Sequence, residues 1–442
     1  MSLRSSLAKK APTAVNAYHF LWAWAGARLH KRPSRRLFVI GVTGTKGKTT
    51  TLELLNAILE AAGKRTALLS SLRVKIGGDS RKNPTGNSMP GRGYLQKFLK
   101  QARRERCGYA IIEVTSQGVV QHRHRFIDWN LGVLTNLHPE HIEAHGSFEN
   151  YRAAKLAFLK YVLKKGGKVF LNRDDANFDF FSRELAQAGD RAIGFSRADT
   201  QVKEHLSRVG RAHDREGDPA RAEFLMSDFN AENAAVAISI AKELGIPDHT
   251  IEEALIVFKG VPGRMEFVSE GPYTAIVDYA HTPDSLEAAY RAARAELVEG
   301  IGGTPGGRLV CVLGAAGGGR DAWKRPEFGK IAAHYCDEVI LTNEDPYDED
   351  PQAIIDAVAA GVAQMPYPRP DVVKVLDRGE ALAKAVDGMD EGDIVIATGK
   401  GSEDWIHAAH GKKIPWNERA TVQELLARKR TKSPAPDVLA RG

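Results

Sequence analysis

Residues 41–51 read Gly41-Val42-Thr43-Gly44-Thr45-Lys46-Gly47-Lys48-Thr49-Thr50-Thr51, directly after the apolar run Leu37-Phe38-Val39-Ile40 and directly before a helical pattern. A strand that feeds a glycine-rich turn at a helix N-terminus aims successive backbone N–H groups and the positive end of the helix dipole at one point, which suits a polyphosphate. In this reading Gly44, Thr45, Lys46, Gly47, Lys48, Thr49 and Thr50 form a nucleotide-binding loop. Lys48 reaches the β- and γ-phosphates, and Thr49 offers its hydroxyl to Mg2+. The G-x-x-x-x-G-K-[ST] spacing is missed by one place, because Val42 stands at the first glycine position and Gly41 lies one residue earlier. The shift points to a subset of phosphate loops; without these flanks, Gly-Lys-Thr would be an ordinary strand-to-helix turn.

Outward from the loop, 442 residues exceed one comfortable core and suit two or three domains. With 43% hydrophobic and 26% charged residues, and no apolar run long enough to span a bilayer, the composition reads as soluble and globular. Three cysteines, Cys107, Cys311 and Cys336, are an odd count without metal-ligand spacing, so no disulfide framework is expected and a reducing cytoplasm is. The net charge of +7 does not describe a nucleic-acid face: residues 1–36 hold Arg4, Lys9, Lys10, Arg28, Lys31, Arg32, Arg35 and Arg36 and no acid. Those eight cations exceed the whole excess, and the remainder is near balance.

Within that basic segment, Val15, Tyr18, Leu21, Trp22, Trp24, Ala25 and Leu29 suggest a helix with one broad apolar, aromatic face. It is too short to span a bilayer. It can dock on the chain's own core, lie on a membrane surface through residues 11–36, or imitate a signal peptide cleaved near Ala25-Gly26-Ala27. Docking is the expectation carried forward, since a triphosphate-binding enzyme has no obvious fuel after export.

Along the body, β-rich apolar runs alternate with helical patterns, the signature of an α/β fold with parallel sheets. Strands are expected at 37–42, 66–70, 109–114, 131–135, 168–171, 273–278, 308–313, 338–342, 372–375 and 393–397, with a helix from Lys48 to about Ala62 that stops near Gly63. Turns at Val261-Pro262-Gly263 and across 299–307 are candidate boundaries. The expected division is a helical segment 1–36, an ATP-binding domain 37–262, a Rossmann-like domain 263–427 and a frayed tail 428–442.

Polar residues cluster at the ends of these strands, where α/β folds place their chemistry. Glu113 closes the run Tyr109-Ala110-Ile111-Ile112 and should emerge near the loop as a Mg2+ ligand. Residues 135–146 offer His141 and His145 among carboxylates; a zinc site would lack its remaining ligands, so nucleotide-bound Mg2+ is the preferred partner. By composition alone, Lys155 would be a surface helix lysine.

Together these residues resemble the Mur ligases, ATP-dependent amide-forming enzymes of cell-wall peptide assembly, and are most similar to the UDP-N-acetylmuramoyl-tripeptide synthetase branch. The resemblance rests on TGTKGKT, EVTSQGVVQHR, TNLHPEHIEAHGSFENYRAAK, FNAENAAVA, VPGRMEFV, VDYAHTPDSL, GAAGGGRDAWKRP and GKGSEDW, in the family's order. It implies a P-loop Mur ligase central domain with a parallel sheet and a Rossmann-like C-terminal domain. It also implies ATP and Mg2+, with Lys48, Thr49, Glu113 and His141 at phosphate and metal and Lys155 carbamylated as a further metal ligand. Asn233 would contact adenine, and Arg264, Asp278 and His281 would reach the nucleotide from the hinge side. Ser116, Gln121, Arg123, Arg320, Asp345, Tyr347, Gly399 and Glu403 would serve the substrates, with His145, Asp321 and Lys324 close to them. The implied enzyme ligates an amino acid to a carboxylate on a peptidoglycan precursor through an acyl phosphate. Its partners are small molecules and no nucleic acid, and it works as a cytoplasmic monomer.

Four departures accompany the resemblance. Only about 36 residues precede the first strand, where the branch carries a uridine-recognising domain, so such a domain is expected to be lacking. Ser88-Met89-Pro90 stands for Thr-Thr-Pro, and Glu344-Asp345-Pro346-Tyr347 for Asp-Asn-Pro-Arg, while Ser402 replaces a histidine. Tyr347 cannot give the bidentate cation that a free carboxylate prefers, whereas Glu403 can bind an ammonium group. The alternatives are a same-family ligase acting on a lipid-linked or other acceptor, and a non-catalytic nucleotide-binding partner of wall synthesis.

Overall fold

The computed structural model describes residues 12–91, 93–140, 145–216, 225, 228–299, 306–319, 321–367 and 370–432. The chain divides into two units, Met1–Lys259 and Gly260–Gly442.

In the first unit the elements run α1 (Pro12–Leu29), a 3-10 turn at Pro33–Arg36, β1 (Phe38–Thr43), α2 (Lys48–Ala61), β2 (Thr66–Leu69), β3 (Arg73–Ile76), β4 (Asp79–Lys82) and α3 (Tyr94–Arg104). They continue as β5 (Tyr109–Glu113), α4 (Ser116–Val120), β6 (Leu131–Leu134), α5 (Phe148–Lys164), β7 (Lys168–Asn172), α6 (Phe178–Glu184), β8 (Ala192–Phe195), α7 (Thr200–Glu216), α8 (Asp228–Glu243) and α9 (Asp248–Ile256). The sheet order is β4-β3-β2-β5-β1-β6-β7-β8. From β2 to β8 every pair is parallel, and β3 and β4 extend one edge antiparallel. β1 is therefore central, and its carboxyl end lies between those of β5 and β6. This is where a doubly wound sheet opens a crevice for ligands.

The second unit contains β9 (Glu266–Glu270), β10 (Tyr273–Asp278), α10 (Pro283–Glu299), β11 (Leu309–Leu313), α11 (Lys324–Tyr335), β12 (Glu338–Leu341), α12 (Pro351–Ala363), β13 (Asp371–Lys374), α13 (Arg378–Gly388), β14 (Ile394–Thr398), β15 (Trp405–His407), β16 (Lys413–Pro415) and α14 (Glu418–Lys432). Its main sheet runs β13-β12-β11-β14-β10-β9, parallel except for β9. Under the ends of β12 and β14, the wholly buried Arg378 pairs with the equally buried Glu418 and donates to the carbonyls of Asn343 and Thr398 at 3.1 and 2.7 Å. That pairing answers the desolvation that would otherwise forbid both charges.

All ten strands expected from the apolar runs are present within a residue of their expected bounds, and α2 stops before Gly63, whose φ is 69°. Three readings need correction. Cys311 on β11 and Cys336 at the end of α11 form a disulfide, because the crossover returns the chain under the strand it left; Cys107 is the free, buried cysteine. Residues 428–432 are not frayed. They continue α14, with Arg428 on Asp387 and Arg430 on Glu270.

The third correction concerns α1, which does dock, but by the seam opposite the expected face. Gly26 and Ala27 are buried, Gly26 lies so close to Gly93 that a Cβ there would sit 2.8 Å from the Gly93 Cα, and Phe20 meets Phe126 edge-on at 5.3 Å. Asn16 Oδ1 lies 2.6 Å from His122 Nε2. Tyr18, Leu21, Trp22, Trp24 and Leu29 are left exposed.

Candidate active site

Gly41, the displaced glycine of the loop pattern, belongs to β1 rather than to the turn. A Cβ there would sit 2.8 Å from the Trp129 ring, so the residue is glycine for packing. The turn proper is made by Gly44 and Gly47, with φ of 152° and 75°. A side chain on Gly44 would run into Thr135, and one on Gly47 into Asn233. Glycine is needed at both positions for conformation and for close approach.

Residues after β6 hold the turn from one side. Thr45 N donates to the Asn136 carbonyl at 3.0 Å, Lys46 N to Asn136 Oδ1 at 2.8 Å, and Thr135 Oγ1 to the Lys46 carbonyl at 2.6 Å. Lys48 Nζ donates to the carbonyls of Thr45 and Gly44 at 2.8 and 3.2 Å, so its charge lies at the mouth of the turn. Thr49 and Thr50 lie in the first turn of α2 and are buried. Thr49 Oγ1 is 3.4 Å from Glu113 Oε2, which also accepts from Ser71 N at 2.9 Å. A hydroxyl and a carboxylate at the N-terminus of a helix are oxygen donors that suit Mg2+, so this donor set fits the implied ion.

Lys155 is the residue that composition misplaced. It is 1% exposed on α5 and donates to the Gly44 carbonyl at 2.6 Å, with its nitrogen 4.5 Å above the Tyr151 ring. Burial first, and then Lys48, push its amine well below the ordinary lysine range, against the pull of Glu140 and Glu113. Tyr151 Oη meets Thr45 Oγ1 at 3.1 Å, which ties α5 to the loop a second time. Asn233, on α8, accepts from Thr51 Oγ1 at 3.3 Å and closes the other side of the turn. His145 Nε2 is 3.0 Å from Ser116 Oγ. Gln121 and Arg123 bond one another, and Arg123 also donates to the Met89 carbonyl; Met89, in the departing Ser-Met-Pro segment, is fully buried against Gly118. His141 lies outside the described residues.

A second cluster belongs to the second unit. Asp278 ends β10 and accepts from the backbone N–H of Met265 and Ala280 at 2.7 Å each, and burial raises its carboxyl above the usual range despite Arg264. The Arg264 guanidinium lies 4.2 Å over the Tyr279 ring rather than in a surface pair with Glu266, and His281 Nδ1 meets the Tyr279 carbonyl at 2.9 Å. Tyr279 donates to Glu403 at 3.1 Å. Lys400, wholly buried, joins Glu403 at 2.6 Å to Asp345 at 2.9 Å, and Asp345 also accepts from His407 N. Tyr347 stacks on His407 at 5.2 Å with the planes 13° apart. Gly399, at φ 102°, lies against Glu344, whose carboxyl burial raises to about 7 against the pull of Lys400, Arg378 and His281. Lys324 pairs with Asp321, and Arg320 lies outside the described residues. Lys400 and Glu344 belong to this cluster and were not singled out from the sequence, although the glycines flanking Lys400 in GKGSE were a signal of close backbone approach.

A phosphate loop with oxygen donors on a parallel sheet, followed by a second α/β unit with its own polar cluster, is the arrangement of a nucleotide-binding protein. Residues 42–241 match the Mur ligase middle domain and residues 263–401 the Mur ligase glutamate ligase domain. The chain belongs to the Mur ligase family. It is 35% identical over 420 residues to the UDP-N-acetylmuramoyl-L-alanyl-D-glutamate–2,6-diaminopimelate ligase of Syntrophomonas wolfei, covering 91% of this chain and 81% of that protein. It is 34% identical over 414 residues to the UDP-N-acetylmuramyl-tripeptide synthetase of Deinococcus radiodurans, again covering 91% and 81%. A solved UDP-N-acetylmuramoyl-L-alanyl-D-glutamate–2,6-diaminopimelate ligase superposes with a TM-score of 0.58 at 24% identity, over 89% of this chain and 79% of that one, which speaks for the fold.

Proposed function

We propose that the chain ligates an amino acid to a carboxylate of a UDP-N-acetylmuramoyl-peptide. It works as a cytoplasmic monomer and touches the inner membrane face through residues 11–36. The observation that carries this reading is the buried Lys155 amine against the Gly44 carbonyl, within the field of Glu113, which in turn meets Thr49. A neutral amine adds to CO2: the N–C bond forms, a proton leaves, and an anionic carbamate with two oxygen donors replaces the amine. Magnesium, when bound, offsets phosphate charge, and Thr49, Glu113, His141 and carbamylated Lys155 would hold it.

The residues of the loop have their own tasks. Backbone N–H groups at the start of α2, from Gly47 to Thr50, and the Lys48 ammonium neutralise the triphosphate, so that an acceptor carboxylate can approach a second anion. Asn233 serves the nucleotide next to Gly47, and Arg264, Asp278 and His281 are its residues in the second unit. The carboxylate oxygen bonds to the γ-phosphorus as the bond to ADP breaks; the amine nitrogen then bonds to the acyl carbon and phosphate leaves. Ser116, Gln121 and Arg123 serve the acceptor, and Arg123 brings a partly buried cation suited to a carboxylate. For the amino acid, Asp345 and Glu403 offer carboxylates to its ammonium, with Gly399, Tyr347 and Arg320 beside them.

Phosphate release measured with ATP, Mg2+, UDP-N-acetylmuramoyl-dipeptide and a panel of amino acids tests the reading. Release that needs both the acceptor and one amino acid is expected. Release only with a lipid-linked acceptor would remove the UDP part, and none with any acceptor would sink the ligase assignment.

A further inference from the structure

The docking of α1 leaves a surface that the ligase chemistry does not use. Along the helix, Asn16, Phe20, Ala23, Gly26, Ala27 and His30 form the docked seam, and the opposite row reads Tyr18, Leu21, Trp22, Ala25, Arg28 and Leu29. In that row Leu29 is 74% exposed, Leu21 58%, Tyr18 45% and Trp22 44%, with Trp24 alongside at 41%. Large apolar side chains left out singly need no explanation; five on about three turns of one helix form a patch. Tyr18 meets Trp22 edge-on at 6.3 Å, and the Arg28 guanidinium lies 5.2 Å over Trp24, so the patch has aromatic bodies with a cation at its edge.

The helix beside it completes the chemistry. α3 buries Leu95, Phe98, Leu99 and Ala102 and turns Lys97, Lys100, Arg103 and Arg104 to solvent. Lys97 and Lys100 are close enough to His30 to lower its pKa, after burial, which sets the α3 cations next to the end of α1. Lys31, Arg32, Arg35 and Arg36 follow α1. Neither α1 nor α3 contains a carboxylate. The acids just beyond are already matched: Glu105 faces Arg65, and Asp128 lies between Arg35 and Lys165.

We infer that α1 and α3 together form a docking surface for an anionic lipid bilayer, with the aromatic row at the headgroup level and the lysines and arginines on lipid phosphates. This rests on the reading of residues 11–36 as the membrane-facing segment, and adds to it the second helix and the sign of the lipid charge. Charge complementarity selects the occupant, since a surface with apolar bulk and only cations gains from both acyl boundary and anionic headgroups. Because α1 is already held at its seam, the surface needs no folding step on contact, which spares the ordering cost that free amphipathic segments meet.

The full chain is sedimented with vesicles of phosphatidylglycerol and phosphatidylcholine in equal parts, and with phosphatidylcholine alone. Binding to the first and not the second is expected, weakening as salt screens the cations. Lys97→Gln with Lys100→Gln should lower partitioning about tenfold or more, at ~1 kcal/mol per surface cation. Leu21→Gln with Trp22→Gln should abolish it, and both variants should keep the parent melting temperature and the parent ligation rate in vesicle-free buffer. Equal binding to both vesicle types, or undiminished binding by either double variant, would overturn the inference. So would a dimer that Leu21→Gln with Trp22→Gln dissociates without any vesicle binding, which would assign the patch to a second copy. Ligation and sedimentation are separate readouts, so failure of the ligase reading leaves this result standing, and the reverse.

Discussion

Asn233 fills the space that a side chain on residue 47 would need, so the first turn of α2 and the helix α8 close on each other across one missing Cβ. Gly47→Ala should therefore act in two ways. The left-handed backbone alone costs about 1–2 kcal/mol for an alanine, and the collision with Asn233 adds to it. A lower urea midpoint and weaker binding of a fluorescent ATP analogue are expected; a variant indistinguishable from the parent in both would show that the turn opens freely.

Lys155→Met should abolish ligation and yet, compared in CO2-free buffer where the parent amine is uncarbamylated, raise stability near neutral pH. The unfolded chain holds a proton on Lys155 up to the ordinary lysine pKa, whereas the folded chain releases it well below that value. Between the two, the unfolded state binds more protons, so parent stability rises with pH and its gap to the variant narrows towards the ordinary lysine pKa. Denaturant midpoints of both proteins across that range check the sign. Short-chain carboxylates added to Lys155→Ala should restore part of the turnover, and a variant with near-parent phosphate release would end the assignment of Lys155.

Glu344 should give the opposite slope. Its carboxyl titrates near 7 in the folded chain against an ordinary value of 4.5. The folded state thus binds more protons between those values, and its stability falls as pH rises through them, by on the order of 3 kcal/mol at most. Glu344→Gln should flatten that slope and be the more stable protein at pH 8. Parallel melting curves for the two proteins would refute the buried, proton-holding state.

Tyr347→Arg should change amino-acid preference more than ATP affinity, because Tyr347 stacks on His407 beside Asp345 and Lys400, the carboxylate-bearing cluster proposed for the amino acid. Relative kcat/KM over an amino-acid panel, compared with the KM for ATP, measures this. A uniform drop for every amino acid would mean that position 347 does not read the substrate.

Gly26→Ala should destabilise, although alanine is worth about 1 kcal/mol more than glycine inside a helix. The added methyl would press on the Gly93 backbone. A raised melting temperature would show that α1 can shift outward at no cost.

The ten strands were legible because β-branched apolar runs between glycine and proline clusters have few other uses. β3 and β4 were not, since Arg73-Val74-Lys75-Ile76 carries half its residues charged and Asp79-Ser80-Arg81-Lys82 is an exposed edge held only by its neighbour. β9 escaped because its polar Glu266 and Ser269 hide an edge strand. At the site, glycines and a strand end announced Lys48, Thr49 and Glu113. Lys155 and Lys400 were invisible to composition, because what makes each unusual is burial beside a loop from a distant part of the chain. For α1, period and composition gave a helix, but an all-round mix of Ala, aromatic and Gly does not say which stripe faces inward; the paired glycines 26 and 93 decide that only in three dimensions.

The clasp on residues 44–47 bears on how fast and at what entropic cost a nucleotide can be taken up. Thr135 and Asn136 hold the turn from the sheet, Lys155 and Tyr151 from α5, and Asn233 from α8, all with protein atoms alone. A loop already held by its neighbours loses little chain freedom on contact, so association should run near the encounter rate rather than wait for a loop to order. Selectivity for a triphosphate over a shorter phosphate must then come from the length and charge that a fixed mould can fill.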